Sequence, residues 1–129
     1  MSILILDDIK YRHDVFDKRY GAGECLHSYL YSDFLFKLQN GSPFDLIHLD
    51  HDLGDFVTNA DTYIDGWGKT QQYNGVHAAI RICELEDELL PNRVIVHSVN
   101  PEGARAMVST LKRRGVDVTW EPFADIPND

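Results

Sequence analysis

The chain predicts an α/β domain built on a parallel β-sheet, and three observations carry that expectation. Short apolar runs alternate with segments of helical period, the pattern of strand-helix-strand units. Ile3 to Leu6, Leu46 to Leu49 and Val94 to Val96 are largely Ile, Leu and Val, as strands covered on both faces are. Each of these runs passes directly into polar residues: Asp7-Asp8, Asp50-His51-Asp52 and His97-Ser98-Val99-Asn100. Ligands of open parallel sheets bind outside the carboxyl ends of the strands, so four aspartates and two histidines are expected to share one crevice.

Strand one, Ser2 to Leu6, precedes a helix from Lys10 to Tyr20 that Gly21 and Gly23 close. Glu24 to Tyr31, rich in aromatic and apolar residues, predicts strand two. Ser32-Asp33 is placed to cap a helix through Leu38 with Asn40-Gly41 as its stop, and Phe44 to Asp50 is strand three. From Asp52 to about Gln72 no period is sustained, so a long loop is expected, of the kind that serves as a lid or binding element. Val76, Ala79, Ile80 and Cys83 recur at helical spacing and predict a helix from about Tyr73 toward Leu89, ending before Pro91. Arg93 to His97 is strand four. Asn100 as cap and Pro101 at the first position open the last helix, whose apolar face is Ala104, Met107, Val108 and Leu111 and whose end is Gly115. Val116 to Trp120 alternates as strand five, and residues 121–129 carry no helical pattern.

Five parallel strands and four helices fit the flavodoxin-like order 2-1-3-4-5, which puts the switch point between strands one and three, where Asp7, Asp8 and Asp50 meet. No residues remain for a fifth helix. The long loop or a second subunit is therefore expected to cover that face, which raises a homodimer as one arrangement.

At 129 residues the chain fits a single domain, residues 1–129, and its 43% hydrophobic and 26% charged content is that of a folded protein. No apolar run approaches the roughly 18 residues of a membrane span, and the first residues read as a strand with no basic leader, so no membrane partner and a cytoplasmic location are expected. A net charge of −9 argues against tracking a long nucleic acid. Cys25 and Cys83 form no C-x-x-C pair, so neither a disulfide framework nor a thiolate zinc site is expected, and both read as buried thiols.

Asp7, Asp8 and Asp50 suit a hard divalent cation such as Mg²⁺ or Mn²⁺, which takes carboxylate oxygens and leaves positions for phosphate oxygens. Each of them alone could instead cap the following helix. His51, Asp52 and His97 are candidates for proton transfer, with a carboxylate orienting an imidazole, and either histidine could instead ligate the metal. His13, His27, His48 and His77 read as ordinary partly buried side chains. Ser98, Asn100 and the amides after Pro101 form a candidate anion seat, with Gly103 allowing close approach, against the alternative of a plain Asn cap. Arg12, one turn beyond Asp8, is a candidate phosphate clamp or carboxylate partner. Tyr63, Trp67 and Tyr73 either stack on a base or pin the loop to the core, and Gly66, Gly68 and Gly75 permit movement.

With these residues in view, the sequence resembles the cyclic-phosphate processing receiver domains. The matching pieces are Asp7-Asp8 with Arg12, Leu49-Asp50-His51-Asp52-Leu53-Gly54, Tyr73-Asn74-Gly75 before a helix, and His97-Ser98-Val99-Asn100-Pro101-Glu102-Gly103. The resemblance implies a receiver-like fold that processes cyclic phosphates on nucleotides, ADP-ribose derivatives or RNA ends, in bacterial or phage conflict and RNA-repair systems. Ordinary receivers share the acidic pair and the strand-three aspartate, here Asp50, and Ser98 matches their small hydroxyl after strand four. They also carry a lysine after strand five, where this chain has Trp120-Glu121-Pro122-Phe123.

Three functions follow as expectations. The first is a metal-dependent phosphoesterase that opens a small cyclic phosphate. In it Asp7, Asp8 and Asp50 hold the cation, His51 or His97 transfers protons, Asp52 orients a histidine or a water, and Arg12, Ser98, Asn100 and Gly103 seat the phosphate. The second is a stand-alone receiver phosphorylated on Asp50, and the third is a non-catalytic binder of a cyclic nucleotide.

Overall fold

The computed structural model describes residues 1–53 and 62–123. Strands β1 (Ile3–Leu6), β2 (Cys25–Ser28) and β3 (Leu46–Leu49) join two later strands, β6 (Arg93–Val96) and β7 (Val118–Trp120), in one parallel sheet. Its order is β2-β1-β3-β6-β7, the 2-1-3-4-5 arrangement of a receiver-like fold. Between β3 and β6 the chain adds a separate antiparallel hairpin, β4 (Thr62–Ile64) with β5 (Thr70–Gln72).

Alternation along each strand divides the core in two. Leu4, Leu6, Ile47, Leu49, Val94 and Val96 pack under α2 (Tyr31–Gly41), α3 (Gly75–Cys83) and α4 (Pro101–Arg114), through Phe34, Leu38, Ala79, Ile82, Met107 and Leu111. Ile3, Ile5, Leu46 and Ile95 face the other way, onto Val15 and Phe16 of α1 (Lys10–Tyr20), with Phe123 beside them. Each such apolar side chain contributes roughly 1.5–3 kcal/mol when fully buried, so the two layers fix the strand register strongly.

Where the fifth helix of the predicted order would lie, the edge of the α1 face is polar. Arg93 Nη2 lies 3.1 Å from both Thr119 Oγ1 and Glu121 Oε2.

Several expected boundaries move. Gly21, at φ 98°, turns the chain into a short 3₁₀ turn at Ala22–Glu24, so β2 starts at Cys25 and ends at Ser28. The Ser32-Asp33 cap does not form: α2 begins at Tyr31 with no side-chain cap, and Asp33 instead pairs with Lys37 one turn on, at 2.7 Å. The helix expected to reach Leu89 stops at Cys83, because Arg114 from the end of α4 takes the Cys83 and Leu85 carbonyls at 3.0 and 3.1 Å. Both cysteines are half-buried rather than buried.

The segment read as a structureless loop holds the hairpin, while residues 54–61, including Gly54, lie outside the described residues, as do 124–129. Asp65 builds the hairpin turn by accepting from the Trp67 and Lys69 amides at 2.8 and 3.0 Å, with Gly68 at φ 77°. Tyr73 stacks on Tyr31 with ring centroids 4.3 Å apart, and Tyr63 follows at 4.8 Å. Two of the three loop aromatics therefore pin the hairpin to α2, while Trp67 is 89% exposed. Among the described residues no helix is long and apolar enough to cross a membrane.

Candidate functional site

The hydrogen-bond register of the sheet sets the site. Asp50 N donates to the Leu6 carbonyl and His97 N to the Leu49 carbonyl, so Asp7, Asp50 and His97 stand side by side just past β1, β3 and β6. All three are buried, and one ligand atom of each lies within 4.8 Å of the others. His97 Nε2 is 2.6 Å from Asp7 Oδ2, whose other oxygen accepts from the Ile9 amide at 2.8 Å. Arg12 reaches down from α1 and places one nitrogen, Nη1, 3.3 Å from Asp7 Oδ2 and 3.4 Å from Asp50 Oδ2. Phe123 holds that guanidinium from the side, 5.0 Å from its ring centroid.

Charges here are strongly out of balance. Burial, then repulsion from Asp7, pushes the Asp50 carboxyl up to about 8. Burial also acts to raise Asp7, but the hydrogen bond from His97, the Ile9 amide and the Arg12 charge outweigh it and hold that carboxyl below its usual value. Burial keeps His97 below the ordinary histidine range against the pull of Asp7, so it serves as a neutral N–H donor. Two buried carboxylates served by one shared guanidinium nitrogen are deficient in positive charge. The carboxylates offer hard oxygens, one of them held by an imidazole, and a guanidinium already sits between them, so the cluster fits a divalent cation. Asp8 is buried next to this group and its charge also raises Asp50.

His51 and Asp52 lie on the other side of the sheet edge. Asp52 Oδ1 is 2.8 Å from His51 Nδ1, and the Asn100 amide nitrogen is 3.4 Å from the same ring atom. A carboxylate can only accept, so the shorter contact selects the Nδ1–H tautomer and leaves Nε2 with its lone pair. The close approach expected at Gly103 is made by this ring: a Cβ there would overlap the imidazole, with Nδ1 only 2.9 Å away. Gly75 does the same for the backbone, since its Cβ would lie 2.9 Å from His51 Cα and 2.6 Å from the Met107 methyl.

Ser98 and Asn100 have local roles in this state. Ser98 Oγ accepts from the Asn100 amide at 3.1 Å, and Asn100 Oδ1 caps α4 by accepting from Gly103 N at 3.1 Å. The Ser98 hydroxyl proton and the Asn100 Nδ2 hydrogens are the donors that remain for an anion. The six strand-end residues expected in one crevice are thus two adjoining groups, one under α1 and one between the N-termini of α3 and α4. Gly75, read as a hinge, and Phe123, not read as part of the site, both shape it; the Asn-Gly step opening α3 was the available sign of the first.

An acidic cluster at the β1–β3 switch point of a 2-1-3-4-5 sheet defines a receiver-like domain. The profile of the cyclic-phosphate processing receiver domain matches residues 2–113, and the chain belongs to that family. None of the curated proteins matches it. Among solved structures it is similar to the N-terminal domain of a response regulator/sensory box/GGDEF three-domain protein from Carboxydothermus hydrogenoformans. That match has 20% identity and a TM-score of 0.56, and covers 93% of this chain and 78% of that one. It is also similar to NtrX from Brucella abortus, at 22% identity and TM-score 0.59, covering 95% of this chain and 24% of that one. At these identities the likeness is one of fold.

Proposed function

We propose that this domain is a cation-dependent phosphoesterase that opens a small cyclic phosphate on a nucleotide, an ADP-ribose derivative or an RNA end. The observation that carries the reading is the Asp7, Asp50 and His97 cluster, bridged by Arg12, beside the Asp52-oriented His51. When bound, Mg²⁺ or Mn²⁺ polarises a phosphoryl oxygen and acidifies a coordinated water. Asp7 and Asp50, with Asp8 beside them, hold the cation, and Arg12 moves from the carboxylates to the phosphate, where its planar fork matches two oxygens.

His51 carries the proton transfer. It retains exposed surface and a lone pair at Nε2, whereas His97 has none exposed and spends Nε2 on Asp7. Water adds to phosphorus, one ring P–O bond breaks, and the freed oxygen takes a proton, leaving a phosphate monoester. Ser98 Oγ–H and Asn100 Nδ2–H donate to the non-bridging oxygens. A recess of about 330 Å³ lined by His51, Asp52, Leu53, Gln72, Tyr73 and Asn74 offers room for the rest of the ligand.

A second reading rests on the same Asp50: as a phosphoacceptor it would regulate a partner. Phe123 stands near the place of the receiver lysine and brings no charge to an acyl phosphate, which weighs against it. The test is turnover of 2′,3′-cyclic nucleotides, 3′,5′-cyclic nucleotides and cyclic-phosphate ADP-ribose with and without Mg²⁺ or Mn²⁺, alongside Asp50→Asn. Metal-dependent opening that Asp50→Asn abolishes supports the esterase. Silence across the panel with a stable acyl phosphate after a small phosphodonor moves the function to the receiver, and tight binding with no product moves it to a sequestering role.

A further inference from the structure

At the β2 edge of the sheet, away from the Asp7 and Asp50 carboxylates, a second set of ligand atoms comes together. Cys25 and His27 are two apart on β2 and share a face, and Asp17 comes to them from α1. One ligand atom of each lies within 4.8 Å of the others, and all three residues are half-buried, so solvent ions reach them. We propose that Asp17, Cys25 and His27 bind a thiophilic divalent cation of the Zn²⁺ class, independently of the hard cation assigned to Asp7 and Asp50.

Hydrogen counting around the group supports this. His13 Nε2 faces the Asp7 carbonyl oxygen at 2.8 Å and must carry hydrogen. The two Nδ1 atoms of His13 and His27 are 2.5 Å apart and must share one. His27 Nε2 meets Asp17 Oδ1 at 2.7 Å, which takes a third. The two rings thus form a continuous chain from the Asp17 carboxylate to the Asp7 backbone. Burial, then the charge of Asp17, pushes the Cys25 thiol up to about 11, so its proton leaves only when a cation takes its place. A cation entering between Sγ, Oδ1 and Nε2 takes the place of the hydrogen between His27 and Asp17 and of the thiol proton, which pass to solvent.

In the metal-bound arrangement every remaining hydrogen bond is satisfied. His27 ligates through Nε2 and donates Nδ1–H to His13 Nδ1, and His13 donates Nε2–H to the Asp7 carbonyl. That is the outer partner a metal-bound histidine normally has, here ending on the backbone of the other cluster. Tetrahedral zinc bonds of about 2.0–2.3 Å require donors roughly 3.3–3.7 Å apart, so Asp17 has to retreat from His27 by about 0.6 Å, and a fourth position is left for water. The paired C-x-x-C spacing that signals zinc in a sequence is absent because only one cysteine takes part.

The test is titration of the whole chain with Co²⁺, followed by thiolate-to-cobalt absorption, then displacement by Zn²⁺ against a chromophoric chelator. The expected result is a thiolate band in the wild type, Cys83→Ser and Asp50→Asn, and its loss in Cys25→Ser. His13→Ala should keep the band and weaken affinity about 10–100-fold. Absence of the band in the wild type, its survival in Cys25→Ser, or its loss in Asp50→Asn or Cys83→Ser overturns the site. If circular dichroism shows Cys25→Ser unfolded, Asp17→Asn decides: at least a tenfold loss of Zn²⁺ affinity supports the site, and unchanged affinity overturns it.

Discussion

His97 Nε2 lies 2.6 Å from Asp7 Oδ2, and neither side chain has any exposed surface. Phe16 and Phe123 pack on the imidazole, with ring centroids 5.1 and 6.3 Å away, and its Nδ1 has no partner among the described residues. Such a ring reaches chemistry only through the carboxylate it holds. His97→Ala should therefore lower stability by about 3 kcal/mol, from a lost charged hydrogen bond plus a cavity, and weaken Mg²⁺ binding about 10–100-fold. His97→Gln, which keeps a donor near the Nε2 position, should recover part of both. Urea unfolding and calorimetric Mg²⁺ titration measure the two effects, and unchanged Mg²⁺ affinity in His97→Ala would remove the positioning role.

Asp50 is destabilising where it stands, since burial and Asp7 both oppose its charge and Arg12 serves it only at 3.4 Å. Groups kept for function at the expense of the fold give stability back when neutralised. Asp50→Asn should melt no lower than the wild type in EDTA. Added Mg²⁺ should raise the melting temperature of the wild type and leave that of the variant in place, because only a state that binds the ion is stabilised by it. Equal Mg²⁺ shifts in the two proteins would place the cation elsewhere.

The space beside Gly103 belongs to His51. Gly103→Ala drives a methyl into the ring, and overpacking of this kind costs about 1–3 kcal/mol and turns the ring away from Asp52. His51→Ala removes the obstacle, so the double variant should be nearly as stable as His51→Ala alone. The coupling, read from urea unfolding of the four proteins, should exceed about 1 kcal/mol; additive effects would mean the ring does not occupy this place.

Strand order and the acidic cluster were legible because both follow from where an apolar run ends: Asp7, Asp50 and His97 come next after register-paired Leu6, Leu49 and Val96. Neighbouring residues at a strand end diverge toward opposite faces of the sheet, so Asp50 and His51 start two adjoining groups rather than one cluster. The hairpin was illegible for a different reason: Thr62–Ile64 and Thr70–Gln72 bury little, and their order comes from Asp65 and from the Tyr63, Tyr73 and Tyr31 stack. The early end of α3 depends on Arg114, thirty-one residues past Cys83, which no local pattern reports.

The N-terminus of α3 gives the domain an acid-sensitive latch next to His51. Asn74 Oδ1 accepts from Val76 N at 2.8 Å, and Asn74 N donates to His77 Nδ1 at 3.1 Å, which requires that nitrogen unprotonated. Burial against Tyr31, Tyr63 and Tyr73, and secondarily the charge of His51, lowers His77 below its ordinary value. The unfolded chain therefore takes up this proton first as pH falls. The cap's contribution is whole above about pH 6.5 and is lost as pH drops through the unfolded and then the folded value. Gln at this position accepts the same amide without titrating. Between about pH 7.5 and 5.5 the wild type should lose up to about 1 kcal/mol more than His77→Gln, the size of one helix cap, while His13, His48 and His97 cancel because both proteins have them. Urea unfolding across that range, with amide exchange of the first turn of α3, measures it. Parallel stability profiles for the two proteins would show that His77 is not the latch.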